Sequence, residues 1–78
     1  MEIRIGVTQS PREVVVEVSD DASVRDEVKA AIDAAMKGAT DTLWLTDKKG
    51  RDVAIAGIKI AYVELGSPEG DRKIGFGG

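Results

Sequence analysis

One stretch of the chain carries an unbroken helical pattern, and it constrains the fold more than any other feature. Between residues 23 and 37, apolar side chains recur three and four positions apart, as on one side of a helix. Ser23 is the expected N-cap and Gly38 the expected C-terminal stop. Because every other regular segment has the pattern of a strand, this single helix has to cover their sheet. The residues of its apolar stripe are Val24, Val28, Ala31, Ile32, Ala35 and Met36.

Six short segments show the alternation of polar and apolar residues that is typical of β-strands. They are residues 2–7, 12–18, 42–46, 51–56, 59–65 and 72–76. The order β-β-α-β-β-β-β predicts the α+β class, with one amphipathic helix packed on a curved, mostly antiparallel sheet. No linker or repeat divides the 78 residues, so we expect one domain over residues 1–78.

The segment 59–65 is the least ambiguous of the predicted strands, and we expect it at the centre of the sheet. It is rich in β-branched and aromatic residues. Alternation places Ile60 and Tyr62 on one face, and Val63 and Leu65 on the other. Since both faces are largely apolar, we expect both to be covered.

A single helix shields one face of a sheet, yet apolar side chains are predicted on the other face as well. Val15 and Trp44 are out of phase with their core-facing neighbours. Either the sheet curls into a partial barrel, or a second subunit covers this face, which predicts a homodimer. Trp44 itself fits an interface and an intramolecular core equally well. The interface candidates are Val15, Trp44, Tyr62 and Phe76.

The composition removes most routes to catalysis. The chain has neither Cys nor His, so Ser-His and Cys-His arrangements and thiolate metal sites are excluded. The adjacent carboxylates at 20–21 and 26–27 are typical of a turn and a helix start. No P-loop pattern is present, and the acidic residues lack the spacing of metal ligands. We expect a non-enzymatic protein without metal or cofactor.

The net charge of −3 argues against a nucleic-acid-binding module, since such modules are usually basic. Basic residues nevertheless gather at predicted turns, where they fit either an anion site or solvated turns and a guarded sheet edge. Nucleotide or nucleic-acid binding is therefore the alternative function. The anion-binding candidates are Arg12, Lys48, Lys49, Arg51, Arg72 and Lys73.

The expected function is protein–protein interaction by a module that self-associates. No basic segment followed by an apolar run precedes the first strand, and no apolar run approaches the length of a membrane span. We therefore expect a cytoplasmic protein that does not contact a membrane. Its expected partners are a second copy of itself or another protein.

Several segments spread over nearly the whole chain resemble those of a known family. They are residues 1–7 (MEIRIGV), 10–13 (SPRE), 45–47 (LTD), 50–51 (GR), 60–66 (IAYVELG) and 72–77 (RKIGFG). As a series they resemble a small uncharacterised actinobacterial family, domain of unknown function three-one-zero-seven. The resemblance implies a compact cytosolic stand-alone domain, and it supplies no catalytic residue.

Overall fold

The structure is a computed structural model that describes residues 1–66, and it has five strands and one helix in this part. The order of elements confirms the α+β class and the predicted succession of strands and helix. The sixth predicted strand, 72–76, lies outside the described residues. The elements are β1 (Glu2–Val7), β2 (Glu13–Glu17), α1 (Ala22–Met36), β3 (Thr42–Thr46), β4 (Asp52–Ala56), a short 3-10 turn (Gly57–Lys59) and β5 (Ile60–Leu65).

The strands are distributed over two antiparallel sheets. Three of them pair in the order β2-β1-β5, and the hairpin β3-β4 forms the second sheet. Within residues 1–66, β5 pairs with β1 alone and lies at the edge of this sheet, so the prediction that the segment 59–65 is the central strand is wrong for the described part of the chain. The centre is β1, in which Ile3 and Ile5 are fully buried. The apolar residues of β5 are only half-buried or exposed, as suits an edge strand.

A β-bulge changes the faces of β5. Between Gly6 and Val7 the register with β5 shifts, so that Ala61 has no partner on β1. Ile60 therefore packs against the core, whereas Tyr62 lies on the outer face. The prediction that Ile60 and Tyr62 share a face is wrong, because strict alternation holds only in a strand without a bulge.

The core lies where the inner faces of the two sheets meet the apolar stripe of α1. The stripe is confirmed in its middle by Val28, Ile32 and Ala35, while Met36 at the helix end is half exposed. This helix is neither long nor apolar enough to cross a membrane, and no other helix in residues 1–66 is. The buried core residues are Met1, Ile3, Ile5, Val16, Val18, Val28, Ile32, Ala35, Leu43, Leu45 and Ile55.

The helix begins one residue earlier than expected. Asp21 is the N-cap, and its carbonyl accepts a hydrogen bond from the Arg25 amide. Ser23 therefore lies inside the first turn, so its predicted role as N-cap is wrong. Gly38 follows the helix with a φ of 83°, a left-handed conformation that glycine adopts at little cost.

The outer face of the three-stranded sheet is charged, which corrects the expectation of a second apolar face there. Val15 and Tyr62 are the large apolar side chains exposed on it, and they stand among carboxylates. The charged side chains that point outward are Glu2, Arg4, Glu13, Glu17 and Glu64.

Candidate functional site

A groove of about 870 Å³ runs between α1 and β3. Apolar side chains of both elements line it, and polar residues of the β2–α1 connection and the β3–β4 turn form its rim. Its volume falls in the range of ligand and peptide sites. The apolar lining residues are Val18, Val24, Val28, Ala31, Trp44 and Leu45; the polar ones are Ser19, Asp20, Glu27, Thr46, Asp47 and Lys48.

The sequence builds this groove from two different periodicities. On α1, Val24, Val28 and Ala31 recur at helical spacing and face β3. On β3, alternation sends Leu43 inward and Trp44 outward. The small side chain of Ala31 fills little space opposite the strand.

Within residues 1–66, no strand pairs with the edge of β3 that faces the groove. Two hydrogen bonds mark the ends of its pairing with β4. The Gly57 amide donates to the Asp41 carbonyl at one end, and the Asp47 amide donates to the Arg51 carbonyl at the other. Bonded and non-bonded pairs alternate between antiparallel strands, so the odd-numbered residues of β3 bond to β4. The N–H and C=O groups of its even-numbered residues, which are Thr42, Trp44 and Thr46, point away from β4.

Trp44 is the most prominent apolar side chain of the site, with 64% of its surface exposed. It stands opposite Ala54 on β4, and Thr42 stands opposite Ala56. Because alanine is small, nothing on the neighbouring strand covers the indole. The outer face of the hairpin is therefore a shallow surface with one charged strand residue, Asp52, and a single large apolar side chain, Trp44.

An ionic cluster fixes the rim at the end of β2. The amino group of Met1 donates to the Val18 carbonyl at 2.7 Å, to a Glu17 carboxylate oxygen at 3.0 Å, and to Asp20. The hydrogen bond with Asp20 raises the pKa of this amino group above its ordinary 8.0, with Glu17 adding to the effect against the cost of burial. The same bond lowers the pKa of Asp20. These carboxylates are thus occupied by an internal cation.

The β3–β4 turn uses its own hydrogen-bond donors internally. The Asp47 carboxylate accepts the amides of Lys49 and Arg51 and the Arg51 Nε, each at 2.8 Å. The Asp47 carbonyl accepts the Gly50 amide, and the Glu17 carbonyl accepts the Lys48 amide. No backbone amide from Lys48 to Arg51 remains to hold a phosphate.

The anion-binding candidates are only partly brought together. Lys48, Lys49 and Arg51 line a cleft of about 270 Å³ between β2 and the hairpin. Arg51 is paired with Asp47, and the Lys48 ammonium lies 4.0 Å from Glu17. Arg12 precedes the far end of β2, away from this cleft. Arg72 and Lys73 lie outside the described residues.

The interface candidates are also separated. Val15 lies on the outer face of β2 opposite Arg4 of β1, and Trp44 lies on the other sheet. The Tyr62 ring covers Gly6, and its hydroxyl donates to Glu13. Phe76 lies outside the described residues. Trp44 alone combines high exposure with an adjacent groove and an unpaired strand edge.

Sequence reasoning missed the groove and the carboxylates at its rim. Asp20 and Asp47 read as ordinary turn residues. Met1 comes beside Asp20 only through the fold, whereas Arg51 meets Asp47 within one turn. The uncharged run of β3, TLWLT, was the one available signal for an open edge. Within residues 1–66, no group of three or more carboxylates is arranged to hold a metal ion.

Comparison with known proteins gives a family but no function. No curated protein matches the chain. The profile of one family matches residues 1–77 and carries the description "Protein of unknown function (DUF3107)". This match covers almost the whole chain, which therefore belongs to the DUF3107 family.

Proposed function

We propose that this protein is a non-enzymatic protein–protein interaction module that works by self-association. In this proposal, a second copy of the chain binds the β3–β4 hairpin at Trp44. The observation that carries it is the 64% exposure of Trp44 on a weakly charged surface beside an apolar groove. Tryptophan is enriched among the residues that dominate the binding energy of protein interfaces.

Charge favours a second copy at this place. The protein carries a net charge of −3, and the outer face of the three-stranded sheet has four glutamates and one arginine, so two such faces repel each other. The outer face of the hairpin has one charged strand residue, Asp52. A two-fold interface brings one patch against itself, and this patch is the one that can meet its copy without strong repulsion.

The small size of the chain also favours self-association. Domains below about 80 residues gain little stability from one hydrophobic core and are commonly reinforced by disulfides, metals or oligomerisation. The chain has no cysteine, which excludes the first of these. Burial of Trp44 and the groove in a dimer interface would add apolar area to a small core.

The test is the mass in solution together with the emission of Trp44, the only tryptophan in the chain. Sedimentation velocity over a wide range of concentrations should show a monomer–dimer equilibrium. The Trp44 emission should shift to shorter wavelength as the dimer forms. Trp44→Ala should shift the equilibrium to the monomer.

The matched control is Ile58→Ala, which removes a side chain that is 89% exposed in the 3-10 turn. It should leave the equilibrium unchanged. A mass of one chain at every concentration would contradict the proposal.

Three expectations from the sequence stay predictions: a cytoplasmic location, an actinobacterial origin and anion binding by the basic turn. The last has little support from the geometry, since the backbone donors of the turn are occupied. Cell fractionation tests the first. Titration with inorganic phosphate and with a nucleotide at low salt tests the third.

A further inference from the structure

We infer that the two copies join by antiparallel pairing of β3 with β3, with Trp44 on the two-fold axis. This inference rests on the proposed function and gives its geometry. The result is a four-stranded sheet in the order β4-β3-β3-β4 that runs through both copies. Strand addition at an exposed edge is a general mode of protein recognition.

The backbone of β3 determines the register. Only its even-numbered residues have N–H and C=O groups that point away from β4, so only these can bond to an added strand. When Trp44 stands opposite Trp44 of the second copy, Thr42 stands opposite Thr46. This register uses all three even-numbered residues, and a shift in either direction loses one bonded pair.

The side chains of β3 allow it to pair with itself. Natural edge strands are commonly protected by charged residues or proline. In the described part of the chain, β3 is the one strand without a charged residue; β2, β4 and β5 each carry at least one acid. Self-pairing of β3 places threonine opposite threonine and tryptophan opposite tryptophan, both of which are favourable cross-strand pairs.

In the described part of the chain, no strand lies beside this edge of β3. Neighbouring strands lie about 4.8 Å apart, so the second copy has to enter directly beside β3. The groove of about 870 Å³ lies along this edge from Trp44 to Lys48 and extends to α1. Beyond Thr46 this edge ends where the turn is bound to β2, because the Lys48 amide donates to the Glu17 carbonyl at 2.8 Å.

Cysteine cross-linking tests the register, since the chain has no cysteine of its own. In the proposed pairing, Thr42→Cys of one copy faces Thr46→Cys of the other, with Cα atoms about 5.5 Å apart, which suits a disulfide. Two Thr42→Cys chains, or two Thr46→Cys chains, place their cysteines about 13 Å apart along the strands. A mixture of the two variants should therefore cross-link under mild oxidation, and each variant alone should not.

Ala54→Cys is the matched control on the outer face of β4. In the four-stranded sheet its two copies are three strand spacings apart, about 14 Å, so it should not cross-link. Isotope labelling of one variant identifies the mixed dimer by mass spectrometry.

A second variant tests the edge without cysteine chemistry. Thr42→Pro removes an N–H that does not bond to β4, at the first residue of the strand, where proline is tolerated. It should keep the circular dichroism of the folded chain and abolish the dimer in sedimentation. A dimer that persists in Thr42→Pro, or that gives no mixed cross-link, overturns the β3 pairing and leaves self-association in place. A monomer at every concentration overturns both.

Discussion

Asp47 is a buried carboxylate that organises the turn around it, with 6% of its side chain exposed. Hydrogen bonds from the Arg51 amide and guanidinium, together with the Lys49 amide, lower its pKa below the ordinary 3.8. The folded protein therefore holds this carboxyl ionised at a pH where the unfolded chain begins to protonate it. The resulting stabilisation is complete above pH 3.8 and is lost as the pH falls through the folded pKa.

We predict that Asp47→Asn lowers the free energy of unfolding at neutral pH and weakens its dependence on acid pH. The reason is that asparagine keeps one oxygen acceptor but loses the charge. Urea unfolding at a series of pH values measures both effects. The exposed Asp41→Asn is the control and should behave like the unchanged chain. Equal acid sensitivity in both variants would contradict the assigned role of Asp47.

Tyr62 is the only tyrosine in the chain, so its titration can be followed by absorbance without interference. The hydrogen bond to Glu13, followed by partial burial and nearby carboxylates, raises its pKa above 10.0. We predict that Glu13→Ala lowers the Tyr62 pKa, because the acceptor and its negative charge are removed. Glu27→Ala, which removes a carboxylate on α1, should leave the titration unchanged. An unaltered pKa in Glu13→Ala would show that the hydroxyl bonds elsewhere in solution.

Buried and exposed side chains alternate within the five residues of β3, so substitutions there should affect either stability or the proposed self-association. Leu43 is 1% exposed in the core, whereas the next residue, Trp44, points to solvent. We predict that Leu43→Ala lowers the free energy of unfolding by about 2–5 kcal/mol, as large-to-small changes in cores do. Trp44→Ala should change it little for the monomer and should weaken self-association. Thermal unfolding at low concentration and sedimentation measure the two quantities, and a large loss of monomer stability in Trp44→Ala would place its indole in the core.

Gly57 is the point where the hairpin passes close to the end of α1. A Cβ at this position would lie 2.7 Å from the Ala35 carbonyl oxygen and 3.3 Å from that of Asp41. Both are backbone atoms that cannot move aside as a side chain can. We predict that Gly57→Ala costs about 1–3 kcal/mol of unfolding free energy. At Gly6 the nearest atoms belong to the exposed Tyr62 ring, so Gly6→Ala should cost less; the reverse order would contradict this comparison.

Local patterns predicted the elements well because each depends on neighbouring residues. The stripe of α1 and the alternation of β3 and β4 are read directly from the sequence. The position of β5 was not predictable in the same way. Its edge location depends on pairing with β1, far away in the chain, and its bulge at Ala61 leaves no mark in the polar–apolar pattern. Ser23 failed as N-cap because Asp21, two residues earlier, takes that position.

At the scale of the whole molecule, the candidate site was predictable only in part. The sequence shows that Trp44 is out of phase with Leu43 and Leu45, but it left open whether a second layer of the same chain buries the indole. The groove requires the relative placement of α1 and β3, and the rim requires Met1 beside Asp20. Such relations come from tertiary packing. For the same reason, the basic residues at the predicted turns were expected to lie closer together than they do.

The backbone hydrogen bonding between the two sheets is sparse, and this has a consequence for local opening of the structure. Among residues 1–66, the bond from the Lys48 amide to the Glu17 carbonyl is the one backbone hydrogen bond between the sheets. Breaking this bond leaves the hydrogen bonds within each sheet intact, so this local opening requires less free energy than global unfolding. The Lys48 amide should thus exchange with deuterium well before that of Ile3 in β1. Equal protection of the two amides from exchange would mean that the hairpin and the three-stranded sheet open together.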